Sequence, residues 1–193
     1  MLEASSADWI SPLVDAKGIH DLPAAGGSEV GILDSDHWFV KEIYGDAVFG
    51  RDWVWKAFCR GYHTILMEHL PPVSFVDRDY PSSVDDPGYV ASRAAIGHTR
   101  RFADRMKLAL MKPHSELASS GFCLANPGHE YIVYAPVAGE DLSVQLEPGE
   151  YDADWFDAVK GEPIGREKIK TTGQERFDRK GAASLVLYLR KAS

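Results

Sequence analysis

Apolar residues recur along this chain in two rhythms, and the change falls near residue 121. Before that point the pattern suits buried strands and amphipathic helices. Residues 29–33 hold the run Val30-Gly31-Ile32-Leu33, followed by Asp34-Ser35-Asp36-His37; a short apolar run bounded by polar residues predicts a buried strand. Residues 51–62 predict a helix, with Val54, Ala57 and Phe58 on one face and Gly61 at the stop position. Trp53 and Trp55 sit two apart in it and cannot share a face, so at least one belongs to the core. The run Thr64-Ile65-Leu66-Met67 then predicts a second strand ending in Glu68-His69. Strand, helix and strand with short connections form one βαβ unit with parallel strands. Residues 94–111 predict a further helix, its stripe made by Ile96, Thr99, Phe102, Met106 and Leu110, with Pro113 closing it. Residues 1–28 and 70–92 are broken by Pro and Gly and predict loops.

From Gly121 the period becomes two. Tyr131-Ile132-Val133-Tyr134 predicts a strand. Leu142, Val144 and Leu146 alternate with Ser143, Gln145 and Glu147, and Tyr151, Ala153 and Trp155 alternate with Asp152 and Asp154. Residues 184–189 form the last apolar run. Turn signals such as Asn126-Pro127-Gly128 and Pro148-Gly149 separate these runs. Short punctuated strands of this kind predict an antiparallel sandwich, with Val144, Leu146, Trp155, Leu187 and Leu189 inside. The expected organisation is an α/β part over 1–112 and an all-β part over 121–193.

Charge narrows the partners. The chain of 193 residues carries a formal net charge of -8. That balance argues against a nucleic-acid backbone or an anionic membrane, since both need clustered Lys and Arg. Arg100, Arg101, Arg105 and Lys107 are spread through a helical pattern and read as a solvated face. Cys59 and Cys123 are the only cysteines, which suits two buried free thiols rather than a disulfide scaffold or zinc site. The first thirty residues hold no apolar run of signal-peptide length. No Gly-rich phosphate loop, nucleophile elbow or redox Cys pair occurs, so no cofactor is expected.

Three segments look like a family. They are Asp34-Ser35-Asp36-His37-Trp38 with Trp53-Val54-Trp55-Lys56-Ala57-Phe58-Cys59-Arg60-Gly61; Gly97-His98-Thr99-Arg100-Arg101-Phe102-Ala103; and residues 119–128 with 130–134, 151–157 and Leu187-Tyr188-Leu189. Together they resemble the C-terminal half of apiosidase-like glycoside hydrolases. That resemblance implies the last strands of a (β/α)8 barrel of the TIM type, followed by a β-sandwich named for collagen binding. A full barrel takes about 250 residues, and far fewer precede the sandwich here. The expectation is therefore an α/β remnant of a TIM-type barrel, inactive by itself, acting on carbohydrate only as part of a parent enzyme. Self-association through exposed barrel surface is expected with it. A non-catalytic glycan- or protein-binding module is the alternative.

Barrel enzymes place their reacting groups at the C-terminal ends of strands. Asp36 and Glu68 follow the two predicted strands and are the best carboxyl pair for glycoside chemistry. His37, Trp38 and His69 are the candidate sugar contacts. Loop capping remains the other reading for Asp36 and His37, and a salt bridge or strand-end solvation for Glu68. Asp36, His37 and His69 are metal-ligand types, but their spacing does not support a metal site.

Overall fold

The computed structural model describes residues 9–10, 30–34, 50–68, 73–75, 78–80, 82, 84–178 and 184–192. Asp36, His37, Trp38 and His69 lie outside the described residues. The fold is mixed α/β, with mostly antiparallel sheets. Among the described residues no helix is long and apolar enough to cross a membrane.

The predicted strand–helix–strand unit is present. Strand β1 spans Trp9–Ile10, β2 Val30–Asp34, helix α1 Arg51–Cys59 and β3 Tyr62–Ile65. β2 and β3 run parallel, with Gly31 opposite Tyr62 and Asp34 opposite Ile65. β1 lies on the other side of β2, also parallel. It falls in the segment expected to be a loop, because two residues are too few to show a period. β3 starts two residues before the predicted run. The reason is Gly61, whose φ of 82° turns the chain directly out of the helix.

A hairpin follows, β4 (Val73–Phe75) with β5 (Arg78–Tyr80), inside the stretch read as one long loop. Helix α2 then spans Pro87–Ala103, so it begins seven residues before the predicted start and ends well before Pro113. Asp86 caps it: its carboxylate accepts the Gly88 and Tyr89 backbone N–H groups at 2.9 and 3.3 Å. Pro87 follows at the first helical position, where its missing N–H costs nothing. The proline that looked like a breaker is part of the start signal. At the other end Arg105 and Lys107 have left the helix. Arg105 pairs with Asp154, and the Lys107 backbone N–H donates to Glu130 Oε2 at 2.9 Å.

The rest of the chain supplies β6 (Lys112–Pro113), β7 (Cys123–Asn126), β8 (Glu130–Ala135), β9 (Leu142–Gln145), β10 (Gly149–Asp157), β11 (Glu162–Thr171), β12 (Gln174–Phe177) and β13 (Leu185–Lys191). Six of them form an antiparallel sheet in the order β11-β10-β13-β8-β7-β6, and β9 pairs with β12 separately. Alternation sorts the large sheet into two faces. Ile132, Tyr134, Val186 and Tyr188 join a core with Trp53, Trp55 and Phe102 from the helices. Tyr131, Val133, Leu187 and Leu189 join a second core with Leu142, Val144 and Phe177 from the β9–β12 pair.

Val144, Leu146, Leu187 and Leu189 are buried as predicted. Trp155 is only partly buried, packing at the edge of the second core with its ring 5.3 Å from that of Phe177. Its indole N–H donates to Glu167 Oε1 at 2.9 Å, which draws it toward the rim. Both Trp53 and Trp55 are buried. They can be, because α1 touches the sheet on one side and α2 on the other: Trp53 Nε1–H donates to Ser92 Oγ of α2 at 3.0 Å, while Trp55 stacks on Tyr134 of β8. Cys59 and Cys123 are buried free thiols, and burial pushes Cys123 up to about 12.

Candidate functional site

The first candidate position is the carboxyl end of the parallel sheet. Asp34 closes β2 level with Ile65, which closes β3. Glu68 follows three residues later. Its position is set by α2: Arg93 Nη1–H donates to Glu68 Oε2 at 2.8 Å. A second Arg93 nitrogen donates to the Val84 carbonyl, which fixes the guanidinium from behind. Glu68 Oε1 has no hydrogen-bond partner among the described residues, and the side chain is 19% exposed. One carboxylate oxygen is therefore held by Arg93, and the other accepts no hydrogen bond from the described residues.

Tyr89 lies one helical turn before Arg93 on the same face of α2. Burial pushes its phenol up to about 12, and the negative charges of Asp86 and Glu68 add to the effect. Tyr89 thus stays a neutral hydroxyl near the carboxylate. Of the five predicted site residues, the described structure places Glu68, and it shows the ion pair that the sequence left open for that side chain. Among the described residues no group of three or more His, Cys, Asp or Glu side chains could hold a metal ion.

No family model matches the chain, and no curated protein matches it. Eight solved chains are similar in shape, including the following two. One is described as a glycoside hydrolase, with 12% identity and a TM-score of 0.49, covering 74% of this chain and 36% of that one. The other is a glycoside hydrolase family 5 protein from Bacteroides vulgatus ATCC 8482, with 10% identity and a TM-score of 0.49, covering 73% of this chain and 35% of that one. The chain spans about a third of the length of either.

A second concave region, of about 470 Å³, is lined by Phe102, Arg105, Asp154, Trp155, Phe156 and Arg166 among others. Asp154 receives Arg166 Nε–H at 2.5 Å and a further hydrogen bond from Arg105. Burial pushes the Asp154 carboxyl up, but the two guanidiniums outweigh it and hold the group below its ordinary value. Arg105 also lies over the Phe102 and Tyr188 rings, at 5.4 and 5.1 Å. A carboxylate engaged by two arginines, one of them seated on two aromatic faces, braces the exit of α2 against the sheet. It offers no free oxygen for proton transfer.

Arg93 and Tyr89 are the site residues that sequence reasoning missed. The Asp86-Pro87 pair was the signal. Read as cap and first helical residue, it puts both side chains on one helix face four residues apart.

Proposed function

We propose that this chain carries the sugar-handling end of a carbohydrate-active glycoside hydrolase and performs no glycosidic turnover by itself. The observation that supports this most is Glu68: a carboxylate just past the C-terminal end of a parallel strand, oriented through one oxygen by Arg93 and with no hydrogen bond to the other among the described residues. Barrel enzymes work from that end of their strands. Asp36 is the proposed partner carboxylate, and His37, Trp38 and His69 are the proposed sugar contacts. The resemblance to apiosidase-like hydrolases points to the same class.

Inactivity follows from geometry. A retaining pair needs its carboxyl groups about 5–5.5 Å apart and an inverting pair about 6.5–9.5 Å, on opposite sides of the bond. Neighbouring strands lie about 4.8 Å apart, so the ends of β2 and β3, at Asp34 and Ile65, offer such a spacing from one side of the sugar. Among the described residues this sheet has three strands and supplies no opposing wall, and positioning supplies much of the rate.

The test is an assay of the chain on aryl glycosides and plant oligosaccharides, beside Asp36→Ala and Glu68→Ala. The expected result is no turnover above the blank. Turnover that both substitutions abolish would make the chain a hydrolase in its own right and refute the proposal. The second reading, a non-catalytic binding module, is favoured by the cleft beside the partly exposed Trp155. It predicts glycan binding that survives Glu68→Ala and is lost in Trp155→Ala.

A further inference from the structure

We infer that the chain has a second, separate ligand site, a basic cleft at the β7–β8 turn that binds a sugar acid through its carboxylate. The cleft measures about 400 Å³ and is lined by Lys107, Asn126, His129, Glu130, Arg190 and Lys191, with Leu110 at its side. None of these residues belongs to the proposed sugar-handling end or to the Asp154 brace.

The charge distribution argues for an anion. Acidic residues outnumber basic ones in the chain, 29 to 21. Arg93, Arg100, Arg105, Lys160, Arg166, Lys168, Lys170 and Arg176 each have a carboxylate partner. Lys107 and Arg190 have no ion-pair partner among the described residues, and both line this concavity, while Lys191, next to Arg190 in the strand, turns its ammonium to the other face beside Gly149 and meets the cleft through its backbone. The carboxylate present, Glu130, is buried in the wall with both oxygens engaged. Oε2 accepts the Lys107 backbone N–H at 2.9 Å, and Oε1 accepts the Tyr188 hydroxyl at 3.1 Å. It anchors the wall and offsets only part of the two positive charges. Like charges gathered in a cleft raise the local concentration of an anion, and an arginine fork beside an ammonium group suits a planar oxyanion.

The cleft is also built before any ligand arrives. The turn Asn126–His129 closes with His129 N–H on the Asn126 carbonyl at 3.0 Å. Gly128 makes the turn at φ 80°, and its N–H donates to the Tyr131 hydroxyl at 2.7 Å. That hydroxyl also receives Glu147 N–H at 3.2 Å, so one buried tyrosine ties two loops together. The Lys191 N–H donates to the His129 carbonyl at 2.8 Å, fixing the last strand to the turn. Ordering these walls therefore costs little on binding. Beside the cations, the Asn126 amide and the His129 imidazole supply further hydrogen-bonding groups for hydroxyls. A carboxylate on a hydroxylated ring satisfies both halves of this lining. The choice of a sugar acid rests on the carbohydrate reading above; the requirement for an anion does not.

The experiment titrates the full chain with glucuronate, glucose and sulfate, by calorimetry and by amide chemical shifts. Glucuronate should bind at least about tenfold more tightly than glucose, the scale of one charge-assisted hydrogen bond. Arg190→Gln and Lys107→Gln, both at exposed side chains, should each weaken glucuronate by about tenfold while leaving the melting temperature in place. Raising salt from about 50 to about 500 mM should weaken it severalfold. Glu68→Ala should leave it unchanged, so that failure here and failure of the proposed function are read separately. Equal binding of glucose and glucuronate, or indifference to both substitutions, would overturn the site. Sulfate binding as tightly as glucuronate would overturn the assignment to a sugar acid.

Discussion

Trp55→Ala should unfold the helices and the large sheet together, because the indole sits where they meet. Trp55 is fully buried. Its ring stacks on Tyr134 of β8 at 6.0 Å with an 18° interplanar angle. It meets Phe102 of α2 edge-on at 5.8 Å, Phe156 of β10 at 6.2 Å and Phe58 of its own helix at 6.4 Å. Truncating a buried Trp to Ala costs about 3–5 kcal/mol. Four aromatic neighbours, each pair worth about 0.5–1.5 kcal/mol beyond burial, place this one in the upper half, near 4 kcal/mol. For a chain of this length each kcal/mol moves the melting temperature by about 2–4 °C, so the expected drop is roughly 8–16 °C.

The assay is urea and thermal unfolding followed in parallel by far-ultraviolet circular dichroism and by fluorescence of the remaining tryptophans. Both signals should shift together. Trp55→Phe supplies the gradation. It sacrifices ring area but also removes Nε1–H, which is buried with no hydrogen-bond partner among the described residues. An unpaired buried donor costs about 1–3 kcal/mol, so its removal returns part of what the smaller ring loses. The expected loss is about 1–2 kcal/mol, well under that of alanine. A loss below about 2 kcal/mol for Trp55→Ala would refute the shared core. So would a biphasic melt in which only the helical signal moves.

Three further expectations follow from other contacts. Tyr134→Phe removes the hydrogen bond its hydroxyl donates to Asp52 Oδ1 at 2.6 Å and should cost about 1–2 kcal/mol by urea denaturation, the range for a charged acceptor at a half-exposed carboxylate. Gly161→Ala meets two obstacles: a φ of 74°, and a β-carbon that would lie 2.4 Å from His98 Cε1. It should cost about 2 kcal/mol or more in the wild-type background and about 1 kcal/mol in His98→Ala, where only the backbone term is left. Burial, and then the Arg101 charge, lower the His98 pKa from its ordinary 6.5. The folded chain therefore binds that proton less readily than the unfolded chain. Its stabilising contribution is complete above pH 6.5 and is lost as pH falls through the folded value. The urea midpoint should decline on acidification below pH 6.5, and His98→Gln should flatten that decline.

The parts of the fold that were legible in the sequence are those with an apolar period. β8, β9, β10 and β13 each present one or both faces to a core, and their alternation or continuous burial shows in the residues themselves. β11 does not. From Glu162 to Lys168 every side chain is exposed, so the segment has no inward face to read. It is held by its backbone ladder with β10, and charge pairs fix the register. Glu150, Asp152 and Asp154 of β10 stand opposite Lys170, Lys168 and Arg166, and each of the three pairs is an ion pair. A polar, charged strand at the edge of a sheet also discourages pairing with another chain. Its signal lies in complementarity with a strand elsewhere in the sequence, which a window moving along one segment cannot detect.

The site divides along the same line. Glu68 could be named as a candidate from sequence because strand ends are where barrel enzymes place reacting groups. Arg93 and Tyr89 were hidden because a proline concealed the helix that carries them. Once α2 is given its true start, its two ends account for two features at once. Its first turns carry Tyr89 and Arg93 and so orient Glu68. Its last turn carries Phe102, which packs on Trp55, Phe156 and Tyr188, and the residues just beyond it reach Asp154 and Glu130. A helix of this length is about 25 Å long and does not bend cheaply. The aromatic core therefore sets where Arg93 stands, and Arg93 sets where Glu68 points. A cavity at Trp55 should reach the strand-end carboxylate through that helix, although Trp55 itself is part of the core and not of the site.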